Sequence, residues 1–139
     1  MTTAFDGSRT GLSMQAFLIF VLLDVGFLVL GFPRTYRFTR WWVGVARAAV
    51  STAPERHVER TMAAVRTATR YYWRRGLDCL PRALTIYVLL RRRGVPATLH
   101  IGVKRYPFGA HAWVECLGDV LDDSIDDWRH EPYASIIST

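Results

Sequence analysis

The hydrophobic pattern changes period near Pro96. Before it, apolar residues come in long blocks or at steps of three and four, as helices require; after it they alternate with polar ones. From Leu12 to Phe32, LSMQAFLIFVLLDVGFLVLGF is interrupted only by Ser13, Gln15, Asp24 and two glycines. Pro33 is expected to end this first helix, and a second is expected over residues 35–51, before the Thr52-Ala53-Pro54 break. A third, over residues 55–75, sets Val58, Met62, Val65, Thr69 and Tyr72 on one stripe with arginines on its other faces. The fourth lies in GLDCLPRALTIYVLLRRRG (residues 76–94). There Asp78 suits the N-cap, Pro81 the first turn, Arg91 to Arg93 the last turn and Gly94 the stop.

Beyond Pro96, ATLHIGV (97–103) alternates Ala97, Leu99, Ile101 and Val103 with Thr98, His100 and Gly102. AHAWVECL (110–117) and DVLDDS (119–124) follow as further strands. Helices first and a small antiparallel sheet afterwards predict an α+β fold.

Composition narrows the setting. The chain has 139 residues, half of them hydrophobic, enough to bury one core. Two cysteines are too few for a disulfide framework, and the opening MTTAFDGSRTG does not read as a signal peptide, so a reducing, cytoplasmic location is expected. Residues 1–114 hold 17 basic and 5 acidic side chains, whereas 115–139 hold 1 and 7. All but one of the basic residues are arginine, yet they are scattered over several helices and form no nucleic-acid module, so no nucleic-acid partner is expected. The 12–32 segment is long enough to span a bilayer, and Arg34, Arg37, Arg40, Trp41 and Trp42 would suit its interface. Asp24 near its middle opposes a lipid-facing span and favours a helix buried against protein, with peripheral membrane contact through residues 12–42 as the other reading.

Cys79 stands where the fourth helix begins, and the partial positive charge there favours a thiolate. The adjacent Asp78 carboxylate opposes it, so a further cation is required. Of His57, His100, His111 and His130, His111 is the best placed, because AHAWVE carries it on a strand beside a run of acids. A three-residue loop Cys116-Leu117-Gly118 pairs Glu115 with Asp119 and sets His111 opposite Asp123 on one face. A two-residue loop, Leu117-Gly118, slips the register and turns Asp123 to the other face unless a bulge intervenes. Cysteine on a helix, histidine on a strand and aspartate on the next strand make the constellation of a papain-like or transglutaminase-like acyl-transfer site. The backbone N–H groups of Cys79 and Leu80 are candidate oxyanion donors. Trp113 and His100 are candidates to line the cleft, and Cys116 reads as structural. No metal or other cofactor is expected, since the cysteines and histidines lack ligand spacing.

At CLPRALTIYVLLRRRGVPATLHIGV, AHAWVE and the strand ending in Asp123, the chain resembles the leader peptidases of lasso-peptide biosynthesis, a transglutaminase-like cysteine peptidase family. The resemblance implies a nucleophile-bearing helix packed on a small antiparallel sheet, with Cys79 as nucleophile, His111 as general base and acid, and Asp123 as the residue orienting it. It implies removal of the leader from a ribosomally made precursor, with a separate winged-helix leader-recognition protein and an asparagine-synthetase-like cyclase as partners. Residues 55–139 are then the catalytic core. Residues 1–54 form an apolar helical region for docking a partner or membrane, and removing residues 1–33 is expected to impair processing more than folding. The rival readings are a transglutaminase-like acyltransferase or deamidase using the same residues, and a noncatalytic adaptor of the same fold.

Overall fold

A computed structural model describes residues 7–45, 49–71, 79–104, 109–121 and 134–138. Helices α1 (Gly7–Leu30) and α2 (Phe32–Val45) are divided by Gly31 alone, at φ 78°. Gly31 rather than Pro33 ends the first helix: it takes the left-handed conformation that reverses the chain, and Pro33 falls in the first turn of α2, where a missing N–H costs little. The two helices meet closely, since a Cβ at Gly26 would lie 3.1 Å from the Thr35 side chain.

Helix α3 (Pro54–Arg70) opens on a proline and buries Met62 and Val65 from the expected stripe, with Thr61, Ala64 and Ala68 beside them. Tyr72 and Asp78 lie outside the described residues. Helix α4 (Cys79–Arg92) is the centre of the fold, with every residue from Ala83 to Leu90 buried against α1, α3 and the sheet. It closes with two backbone bonds, Val95 N–H to Leu90 O (3.0 Å) and Gly94 N–H to Arg91 O (3.2 Å), the pattern that a left-handed glycine permits. Gly94 is required twice over: a Cβ there would also lie 1.8 Å from the Ala49 carbonyl oxygen, where the connection between α2 and α3 crosses and Ser51 N–H donates to Gly94 O.

The sheet comprises β1 (Ala97–Lys104), β2 (Gly109–Cys116), β3 (Asp119–Leu121) and β4 (Ala134–Ser138), all antiparallel neighbours in the order β3-β2-β1-β4. Helices followed by an antiparallel sheet are the α+β arrangement expected, but β4 was not foreseen. It pairs with β1, from Val103 with Ala134 to His100 with Ser138, 31 to 38 positions apart, and no local pattern announces so distant a partner. The β1–β2 register sets Ala97, Leu99 and Ile101 opposite Cys116, Val114 and Ala112. That face supplies the sheet's contribution to the core and packs on α4. The other face carries Thr98 and His100 opposite Glu115 and Trp113, with His111 facing Gly102.

The β2–β3 hairpin corrects the expected register. Cys116 pairs with Asp119, so the loop is Leu117-Gly118, both at positive φ (54° and 81°), the conformation of a two-residue hairpin turn. Placing the left-handed position at Gly118 alone missed that Leu117 takes it too.

Helix α1 is apolar all round and buried on one side only. Leu12, Ala16, Ile19, Phe20 and Leu23 face the interior, and all but Phe20 belong to the core cluster that includes Val88 and Leu90 of α4. Helix α1 is therefore not a removable appendage, because deleting it would open the core. Met14, Leu18, Leu22, Val25 and Val29, spaced by three and four, face outward and are exposed. By length and composition Thr10–Leu30 is apolar enough to cross a membrane.

Candidate active site

The site forms where the start of α4 meets the edge of β2. Antiparallel pairing across a two-residue loop makes Cys116–Asp119 and Val114–Leu121 hydrogen-bonded pairs, so alternate residues of β2 turn their N–H groups towards β3. Val114–Leu121 is the last described pair. Ala112, two positions further, turns its N–H to the same edge, and this N–H donates to the Cys79 sulfur. The edge of β2 thus offers a strand N–H to the thiol.

His111, next to Ala112, hydrogen-bonds Cys79 through its ring, and the Leu80 N–H at the start of α4 also donates to the sulfur. The His111 contact is the largest influence holding the Cys79 thiol below its ordinary value; the Ala112 N–H, the imidazolium charge and the Leu80 N–H add to it, and burial opposes it. The two residues are 32 positions apart in sequence and each is half-buried. Cys79 therefore has the electrostatic surroundings of a reactive thiol rather than of a packing residue. Asp123 lies outside the described residues. Continuing the observed register beyond Leu121 sets position 123 opposite Ala112 rather than opposite His111, so the shared face expected from a three-residue loop would require a bulge.

Trp113 is buried against both imidazoles on this face. Its ring centroid is 5.4 Å from that of His100 and 6.1 Å from that of His111, with interplanar angles of 12° and 14°. Glu115 is a further residue of this face, one that no local pattern singles out. Its Oε1 accepts from the Trp113 indole N–H at 3.5 Å, and its Oε2 lies 3.3 Å from His100 Nε2, within ion-pair range but off the line of a hydrogen bond. Its only sequence signal is the two-residue spacing from Trp113. The link to His100 crosses strands and needs the β1–β2 register. His100 and Trp113 thus form a packed row leading to His111, stiffening the face that presents the imidazole to Cys79. Among the described residues, no three His, Cys, Asp or Glu side chains gather as a metal site.

Comparison with known proteins bears on the family of the fold. The profile of the transglutaminase-like superfamily matches residues 26–138. A 47-residue stretch is 40% identical to the microcin J25-processing protein McjB of Escherichia coli, covering 34% of this chain and 23% of that protein. No solved structure matches.

Proposed function

The chain belongs to the transglutaminase-like superfamily, and from that premise we propose that it is a cysteine peptidase that removes the leader from a ribosomally made lasso-peptide precursor. The observation that carries this reading is the convergence of the His111 ring and two backbone N–H groups on the sulfur of Cys79. In the proposed reaction, His111 takes the thiol proton and the Cys79 thiolate attacks the scissile carbonyl carbon. The oxyanion forms at the start of α4, where the Cys79 N–H, and the Leu80 N–H once the sulfur is acylated, are the candidate donors. His111 returns the proton to the departing amine, and water then hydrolyses the thioester. Asp123 is proposed to hold the imidazole tautomer through a bulge beyond Leu121.

The substrate class follows from likeness to a microcin-processing protein and from the resemblance of the CLPRAL and AHAWVE blocks. In this reading the enzyme works in the cytoplasm, receives its precursor from a separate winged-helix recognition protein and passes the product to an asparagine-synthetase-like cyclase. The exposed stripe Met14, Leu18, Leu22, Val25 and Val29 is the proposed docking face for one of these partners or for the membrane. The deciding experiment incubates precursor and recognition protein with the enzyme and reads the products by mass spectrometry. A leader fragment that disappears with Cys79→Ala supports the peptidase. An intact chain carrying a transferred group, or cleavage indifferent to the substitution, overturns it.

A further inference from the structure

A cavity of about 650 Å³ opens between α1, α3 and the C-terminal end of α4, lined by Leu12, Ser13, Arg56, His57, Glu59, Arg60, Ala63, Ala64, Thr67 and Arg93. Three guanidiniums and an imidazole converge there against a single carboxylate. Among the described residues, none of Arg56, Arg60 and Arg93 has a carboxylate within ion-pair distance. Arg56 and Arg60 are one turn apart on α3 and so share a side of that helix. Arg93 is half-buried across from them, with one guanidinium N–H donating to the Leu89 carbonyl at 3.4 Å. Its neighbour Arg92 is engaged elsewhere, over the Trp42 ring at 5.1 Å. Burial first, then Arg92 and Arg60, hold the Arg93 guanidinium below its ordinary value, and of these charges Arg60 is the one that shares the cavity with it.

We propose that this cavity is an exosite for an acidic peptide segment, its carboxylates bridging Arg60 and Arg93. An entering carboxylate replaces repulsion between guanidiniums with charge-assisted hydrogen bonds. The volume is that of a pocket for an extended organic ligand rather than for one small anion. Leu12, Ala63 and Ala64 offer apolar contact for side-chain methylenes, while Ser13 and Thr67 offer hydroxyls for a peptide backbone. Cys79 and Arg93 stand at opposite ends of α4, about 20 Å apart by helical rise. Ala83 to Leu90 of α4 are buried between the two sites, so a peptide that reaches both passes over the surface and is longer than the roughly six extended residues that span the straight line. Its acidic part would then lie in the cavity and its scissile bond at Cys79. The assignment of this peptide as substrate rests on the proposed peptidase function; the binding itself does not.

The test is fluorescence polarisation with a labelled hexaglutamate peptide flanked by Gly-Ser, on the full chain and on its Cys79→Ala form. Arg60→Glu is expected to weaken binding at least tenfold. Ala63→Trp, which fills the cavity without changing charge, is expected to do the same. Arg40→Glu, an equal charge change on the exposed surface of α2, is expected to change binding less than twofold, and a hexaglutamine peptide is expected not to bind. Equal losses from Arg60→Glu and Arg40→Glu, or indifference to Ala63→Trp, overturn the exosite as diffuse attraction. Binding of inorganic phosphate without binding of hexaglutamate overturns the peptide class. If hexaglutamate binds in the cavity but no precursor is cleaved, the peptidase reading fails and the exosite stands. If cleavage proceeds with KM unchanged by Arg60→Glu and Ala63→Trp, the exosite alone fails.

Discussion

At the Ala112 end of β2, a cysteine sulfur accepts a strand N–H and an imidazole contact; at the other end, the Cys116 sulfur donates its own proton to the Pro96 carbonyl, 3.2 Å away. The two thiols respond in opposite directions. Cys79 is held below its ordinary value chiefly by His111, whereas burial pushes Cys116 up. Cys116 is nearly sealed and has an acceptor, so protonation suits it. Cys79 is half-buried at a helix start with donors aimed at it, so ionisation suits it. Both thiols stand at the end of an element, and what separates them is the groups they face, donors and an imidazole at Cys79 against a carbonyl acceptor at Cys116.

The largest expected effect is loss of the proposed nucleophile. Cys79→Ala should lower precursor cleavage at least about a thousandfold, as removal of a covalent catalyst does. Cys116→Ala should leave cleavage within about threefold and cost about 1 kcal/mol in stability. Parallel cleavage assays and denaturant titrations check both, and similar activity losses in the two variants would erase the distinction. His111→Ala should lower cleavage by about 10² to 10⁴-fold and raise the pH at which Cys79 is alkylated. An unchanged alkylation profile would show that the backbone N–H groups of Leu80 and Ala112, without the imidazole, ionise the thiol.

Labelling with iodoacetamide sharpens the contrast without any substrate. Cys79 should be modified at pH values below the ordinary thiol range, and Cys116 only after unfolding, with peptide mapping to identify the labelled site. The same shifts carry opposite linkage to stability. The contribution from Cys79 is present above the unfolded thiol pKa and is lost as pH falls through the lowered folded one. That from Cys116 is present below the unfolded pKa and is lost as pH rises through the raised folded one. The smallest effect concerns the turn. Leu117 holds φ 54°, a conformation that asparagine tolerates better, so Leu117→Asn should stabilise by about 1 kcal/mol in thermal unfolding with cleavage unchanged.

Much of this contrast was legible along the chain. The helix of Cys79 declares itself through its apolar run, its closing arginines and Gly94, and a change of period at Pro96 announces the strands. His111 was singled out by residue type and flanking residues, and Cys116 was read as structural. Glu115 was passed over because its contact with His100 spans two strands. The hairpin loop was misjudged because a leucine occupies a conformation that costs it strain, which strand pairing on both sides outweighs. Helix α1 posed the reverse difficulty: an all-round apolar helix carries no periodicity to say which side is covered, and packing alone selected Leu12, Ala16, Ile19 and Leu23.

By itself the sequence determined the order of elements as far as β3, the cysteine at a helix start and the histidine on a strand, because these follow from local propensity and short-range periodicity. Only the tertiary structure decided that β3 pairs through Leu121 in an even register, that Ala112 turns an N–H to Cys79, and that Arg60 of α3 faces Arg93, just past α4, across a cavity. Each of these joins residues distant along the chain, and the energy that selects among such pairings comes from burying a shared core.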